Sequence, residues 1–288
     1  MTPDPTDAAI FQPGGGPRPL AGRSFFKMTG SGNDFVFFDN RDGRHDDLAT
    51  PERIAALCDR RRGVGADGIV LLDANSEFDF GMRYFNRDGS LAEMCGNAAL
   101  CSARLAATLG IVAPGPFRFR TPSGPVAARL VDGIPEIDMT PVTDLQVQTA
   151  LPLGGGEQRM GFARVGVPHL VLLVDDLDAV DVDRRGRALR YDPSLPHGAN
   201  VNFVARTTDG WAMRTYERGV EAETLACGTG TVASVALLNA WQIEATGLAM
   251  HTRCGVDLFA DVARGGRAPV LRGEGRIVAT GTIVDLPE

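Results

Sequence analysis

Cysteine is scarce in this chain of 288 residues. Cys58, Cys95, Cys101, Cys227 and Cys254 form an odd, sparse set that excludes a disulfide framework and fits a reducing cytoplasm. Long apolar runs are also missing. None approaches the ~20 residues of a membrane helix, and no membrane partner is expected. The stretch from Met1 to Gly22 is rich in Pro and Gly and has no apolar h-region, so it reads as a floppy leader and not as a secretory signal. Positive charge is in deficit, with 29 Lys and Arg against 36 Asp and Glu. The net charge of −7 argues against nucleic-acid partners, which select basic surfaces. The four histidines show no ligand spacing and there is no Cys-x-x-Cys, so no metal site is expected.

What is present suits a soluble α+β protein of two ordinary domains. Phe35 to Phe38 and Ile69 to Leu72 are short apolar runs bounded by Gly and Asp. Phe117 to Arg120, Trp211 to Tyr216 and Val256 to Val262 alternate apolar and polar residues as half-buried strands do. Close punctuation by Gly, Pro and Asp predicts mainly antiparallel sheets. A helix over Pro51–Arg62 follows from the Thr50 N-cap and a proline at the first helical position. Two more, Gly96–Leu109 and Gly228–Trp241, are rich in small and aliphatic residues on every side, which predicts burial. The expected layout is a leader over 1–22, a first domain over 23–139 and a second over 140–275. The last strand, within 276–288, returns to the first domain.

Both buried helices are preceded by the same element. Cys95-Gly96-Asn97 opens the first and Cys227-Gly228-Thr229 opens the second, about half the chain apart. A repeat at that period predicts two similar halves, each presenting one thiol. Facing thiols across a cleft can take a proton from one face of a carbon and return one to the other. That is what cofactor-free racemisation or epimerisation requires. A helix start lowers a thiol pKa, and its unpaired amides bind anions such as a carboxylate. Buried free cysteines are more often structural, and that reading is kept for Cys58, Cys101 and Cys254.

At these residues the chain resembles the diaminopimelate epimerases. The likeness runs through Lys27-Met28-Thr29-Gly30-Ser31-Gly32-Asn33-Asp34-Phe35, Gly63 to Gly68, Phe85 to Ser90, Cys95-Gly96-Asn97, Pro168-His169, Asn200-Val201-Asn202-Phe203, Tyr216-Glu217-Arg218-Gly219 and Cys227-Gly228-Thr229-Gly230. The resemblance implies two pseudo-symmetric domains, each a barrel-like sheet wrapped around a central helix, with the active site between them. It implies that Cys95 and Cys227 are the acid/base pair and that Asn33, Asn86, Asn200 and Arg218 hold the substrate. Glu217 would bind the α-ammonium group, and His169 would lie near the thiols. The amides of Gly96, Asn97, Gly228 and Thr229 would cradle the reacting carboxylate. No cofactor is expected, the substrate partner is a small amino acid, and a homodimer is in keeping with the family.

Departures from the family pattern fall on recognition and spare the thiols. Val167 stands where an Asn usually precedes Pro168, and Ala98 and Leu100 follow Cys-Gly-Asn where many members have Gly and Arg. The rival readings are a racemase of another amino acid on the same scaffold, a related isomerase or dehydratase lacking one thiol, and a binding protein that has kept the fold. The Lys27 motif alone does not exclude pyridoxal phosphate, but nothing around it resembles a cofactor site.

Overall fold

A computed structural model describes residues 19–92, 94–262 and 265–285, so residues 1–18 of the expected leader lie outside the described part. The first half carries β1 (Ser24–Gly30), β2 (Asn33–Asn40), α1 (Pro51–Cys58), β3 (Gly68–Asp73), β4 (Phe80–Asn86), β5 (Leu91–Ala92), α2 (Gly96–Thr108), β6 (Phe117–Thr121), β7 (Gly124–Val131), β8 (Ile134–Asp138) and β9 (Val142–Gln146). The second carries β10 (Glu157–Val165), β11 (Val167–Val174), α3 (Val182–Arg190), β12 (Asn200–Thr207), β13 (Gly210–Glu217), β14 (Ala222–Thr224), α4 (Gly228–Ala240), β15 (Leu248–His251), β16 (Asp257–Asp261), β17 (Val270–Arg272) and β18 (Arg276–Thr282).

The second series repeats the first, element for element. β1 and β2 form an antiparallel hairpin, and β10 and β11 repeat it. A helical crossover then makes β2 and β3 parallel, as it does β11 and β12. β3 and β4 pair antiparallel, as do β12 and β13. The central helix follows, and the strand after it returns parallel to β4 in one half and to β13 in the other. The sheets are therefore mainly antiparallel, with a few parallel pairs. The halves are stitched together three times. β8 pairs with β17, β9 joins β10, and β18 joins β1.

Burial explains the composition of these strands. Phe35, Val36, Phe37 and Phe38 are all fully buried. Phe35 and Phe37 share a core with Ala98, Leu100 and Leu105 of α2, while Val36 and Phe38 meet Ile54 and Leu57 of α1 on the other face. In the second half Val171 and Val204 face α4, and Leu170, Leu172 and Phe203 pack with Val182 and Leu189 of α3. A strand covered on both faces has no polar side, hence an unbroken apolar run. Each such large side chain contributes about 1.5–3 kcal/mol by leaving water. α2 and α4 are small-residue helices because they lie inside a wrapping sheet, in contact with strands on several sides.

Three local expectations change. α1 stops at Cys58 instead of Arg62, because Asp59 turns extended (ψ 120°) and its carboxylate takes the N–H groups of Arg61 and Arg62. α3 was not expected. Its signs were the Asp181 N-cap, which accepts from Arg184 N, and Val182, Gly186 and Leu189 on one face. Leu20, at the end of the expected leader, is buried, and Gly22 N donates to Ile283 O at 2.7 Å. Among the described residues no helix is long and apolar enough to cross a membrane.

Candidate active site

Cys95 and Cys227 are the N-cap residues of α2 and α4, with near-identical backbones (φ −140°, ψ 115° and φ −135°, ψ 106°). Their carbonyls accept the first helical bonds, from Ala99 N and Thr231 N, each at 2.9 Å. The two helix starts meet. Leu271 of β17 touches both: a Cβ built on Gly96 would lie 3.3 Å from its Cδ2, and one on Gly228 would lie 2.6 Å away. Glycine at these positions lets both helix starts close on the β8–β17 seam. Grooves of 630 Å³ beside Arg104 and Arg272 and of 210 Å³ beside Asn40 and Arg83 hold neither thiol. Cys227 is buried and Cys95 half-buried.

Burial decides the thiol chemistry here, and it overturns the expected direction. Desolvation pushes Cys95 up to about 11, against the pull of the Ala98 and Asn97 amides. It pushes Cys227 up to about 12, and the charge on Glu217 adds to it while Thr229 and the Gly230 amide pull down. Thr229 Oγ1 lies 3.5 Å from Cys227 Sγ. Helix-start amides are present as expected, but they are outweighed. Glu217 bears on both thiols, and Cys95 bears on Cys227, so these three groups share one electrostatic neighbourhood. Glu217 is itself raised by burial, partly offset by the Thr224 hydroxyl. The expected result is slow alkylation of both thiols at neutral pH. Iodoacetamide followed by peptide mass analysis, without substrate, should show rates climbing until pH exceeds the ordinary ~8.5 of a cysteine. A rate plateau below pH 8 at Cys95 or Cys227 would contradict the burial argument.

The other expected residues flank the seam. Asn97 Nδ2 donates to Asn33 Oδ1 at 2.7 Å, and Asn33 Nδ2 donates to Asp67 at 3.1 Å. Asn97 Oδ1 is buried with no hydrogen-bond partner among the described residues. Asn86 ends β4 and donates to Ser90 Oγ at 3.0 Å. Glu217 ends β13, so it holds in the second half the place of Asn86 in the first. Asn200 Oδ1 accepts from Arg218 N at 2.8 Å, and the Arg218 guanidinium donates to His197 O at 3.0 Å. His169 is fully buried, and burial followed by the Arg218 charge lowers it to about 3, so its ring is neutral. Lys27, the chain's one lysine, is tied to Asp34 at 2.6 Å and to Gly65 O.

Sequence reading missed Asn202, Thr215 and Gly230. Asn202 Nδ2 meets Leu170 O at 2.9 Å and His169 Nδ1 at 3.1 Å, while Thr215 Oγ1 donates to Asn202 Oδ1 at 3.0 Å. The available signal was an Asn between Val201 and Phe203, two residues before the inward-facing Val204 and so on the same face. A Cβ on Gly230 would collide with Asn202 Oδ1 and come within 3.2 Å of Cys227 Sγ. Gly→Ala inside a helix ordinarily gains up to about 1 kcal/mol, whereas overpacking costs about 1–3 kcal/mol. Gly230→Ala is therefore expected to lower both the melting temperature and turnover. Thermal unfolding and a rate assay check this, and a stabilised, fully active variant would contradict the contact.

The chain as a whole has counterparts among known proteins. A family model for diaminopimelate epimerase matches residues 25–144 and 161–277, one segment in each half. The chain belongs to the diaminopimelate epimerase family. It is 46% identical to the diaminopimelate epimerase of Gemmatimonas aurantiaca over 277 residues, covering 91% of this chain and all of that one. It is 43% identical to that of Hydrogenobaculum sp., covering 72% of this chain and 79% of the relative. The fold also recurs at low identity. A PhzF-family phenazine biosynthesis protein of Bacillus anthracis superposes with a TM-score of 0.69 at 13% identity, over 91% of this chain and 99% of that one. A probable proline racemase of Agrobacterium radiobacter K84 gives 0.61 at 18%, over 90% and 92%. Family membership makes the chain an isomerase of the racemase and epimerase type.

Proposed function

We propose that the protein interconverts LL- and meso-diaminopimelate without a cofactor, using Cys95 and Cys227 as acid and base on opposite faces of one α-carbon. The observation that carries this is the pair of thiols at equivalent helix N-caps, converging on one seam with Glu217 bearing on both. In one direction a thiolate removes the α-proton. The electron pair passes into the α-carbon and its carboxylate, and the opposite thiol delivers a proton to the other face. Each turnover exchanges the protonation states of the pair, which titrates as one coupled unit.

The α-proton of an amino acid is very weakly acidic, so the developing anion needs support. Amides at the starts of α2 and α4, at Gly96, Asn97, Gly228 and Thr229, can aim at its carboxylate. Arg218 offers a planar fork for a carboxylate, and Asn33, Asn86 and Asn200 can address either end of a second amino acid centre. An α-ammonium beside Glu217 would offset the charge that adds to burial in raising both thiols, so substrate binding itself would ease thiolate formation. Burial of Cys227 and partial burial of Cys95 keep bulk water from the reacting carbon. The chain's one lysine is engaged in an ion pair, which supports pyridoxal-independent chemistry. The pathway is the supply of meso-diaminopimelate and lysine, and the compartment the reducing cytoplasm.

Reduced protein with no added cofactor is expected to convert LL-diaminopimelate to the meso isomer, read by chiral chromatography. Val167, which removes a polar recognition contact, favours one second reading: racemisation of another amino acid. Inactivity on diaminopimelate with activity on a different amino acid would select that reading, and inactivity on all would overturn both.

A further inference from the structure

The two halves repeat each other, but the polar groups beneath their thiols do not. By strand register Phe35 and Val70 of the first half correspond to His169 and Asn202 of the second, and Tyr84 corresponds to Thr215. The first set is aromatic and apolar, with Phe35 and Tyr84 packed edge to face at 5.5 Å. The second is a buried hydrogen-bonded chain, Thr215 to Asn202 to His169, with exposures of 2%, 0% and 0%. Cys227 stands over a wired floor and Cys95 over a greasy one.

The orientation of Asn202 follows from its neighbours. Thr215 Oγ1 donates to Oδ1, and the Leu170 carbonyl can only accept, so the amide nitrogen must face Leu170 and His169. A flipped amide would set two oxygens against each other. Its second N–H therefore goes to His169 Nδ1, which must accept. The imidazole proton then sits on Nε2. That atom is buried and has no hydrogen-bond partner among the described residues. His169 lies on the inner face of β11, two residues before the core residue Val171, at the end of the strand ladder where Asn200 and Arg218 stand. Asn202 also lies directly under Gly230, in the first turn of the helix that Cys227 caps.

We infer that Asn202 is a positioning residue that locks His169 as a neutral Nε2–H donor facing the cleft beside Cys227. The imidazole then serves by donating a hydrogen bond, to the Cys227 thiolate or to the substrate anion, and takes no proton itself. An unsatisfied buried donor is costly until such a partner arrives, so the donor favours the charged species formed during the reaction. Among the described residues the corresponding positions of the first half, Phe35, Val70 and Tyr84, have no such donor chain. The two proton-transfer steps are therefore served by unequal surroundings, although the thiols occupy equivalent helix N-caps.

The kinetic part of this inference rests on the epimerase reading, while the tautomer part does not. The test is nitrogen NMR of protein labelled with ¹⁵N-histidine, with His169→Gln assigning the signal among four histidines. Wild-type His169 is expected to show unprotonated Nδ1 and protonated Nε2 at about pH 7. Asn202→Asp, whose carboxylate can only accept, should move the proton to Nδ1. It should lower kcat about 10–100-fold, by analogy with the loss when the hydrogen-bond partner that orients a metal-bound histidine is removed, with KM within about twofold. Thr215→Val removes the bond to Oδ1 but leaves the Leu170 carbonyl to orient the amide, so it should keep the Nε2–H tautomer with a smaller loss of kcat, and it guards against misfolding of the first variant. A wild-type imidazolium or Nδ1–H signal overturns the inference. So does a flipped tautomer with unchanged kcat. The Nε2–H signature in a protein that epimerises nothing would uphold the lock and overturn only the epimerase reading.

Discussion

Cys95→Ala and Cys227→Ala are each expected to stop conversion of LL-diaminopimelate to the meso isomer while leaving the fold intact. Inversion at carbon needs a proton carrier on each face, and each variant leaves one face without any. Positioned acid/base groups contribute about 10²–10⁴-fold apiece, so a loss of at least about a hundredfold is expected from either change. Stability should change little. Removing one sulfur from an N-cap that forms no side-chain cap bond costs about 1 kcal/mol on the usual scale for single substitutions. The check is a rate assay with matched thermal unfolding. A folded variant within tenfold of the native rate would remove that cysteine from the mechanism.

Glu217→Gln should move two observables in opposite directions. Its charge raises both thiols, so neutralising it should lower both and speed alkylation at mildly alkaline pH. The same change removes the proposed partner of the α-ammonium group. Truncating one member of a buried charged pair costs about 2–5 kcal/mol, so kcat/KM should fall about 30- to several-thousand-fold. A general loss of structure would depress activity but would expose both thiols without regard to charge, and circular dichroism separates that case. Reduced activity together with unchanged thiol reactivity would place Glu217 away from the thiols.

Much of this site is legible in the chain, for physical reasons. Cys95 and Cys227 were readable because a small polar turn followed by a small-residue helix can only be an N-cap entering a core. The central helices were readable because they are apolar all round. α3 was hidden by its charge and by Gly186, whose use is tertiary: a Cβ there would strike Tyr216. The exchange of β9 for β18 between halves is a matter of partner choice, which period-2 patterning does not encode. The thiol pKa direction was misjudged because a helix start is a local feature and burial is not. Asn202 was passed over because its neighbours, Val201 and Phe203, dominate the run, and its role exists only once β11, β12 and β13 lie side by side.

The most direct test of the two-thiol account is deuterium placement during the first turnovers of LL-diaminopimelate in deuterated water. Acid and base on opposite faces predict that newly formed meso product carries deuterium at the inverted carbon while recovered LL substrate remains largely unlabelled. Equal labelling of recovered substrate and product from the outset would mean that a single group serves both faces, and would contradict the assignment of Cys95 and Cys227 as a pair.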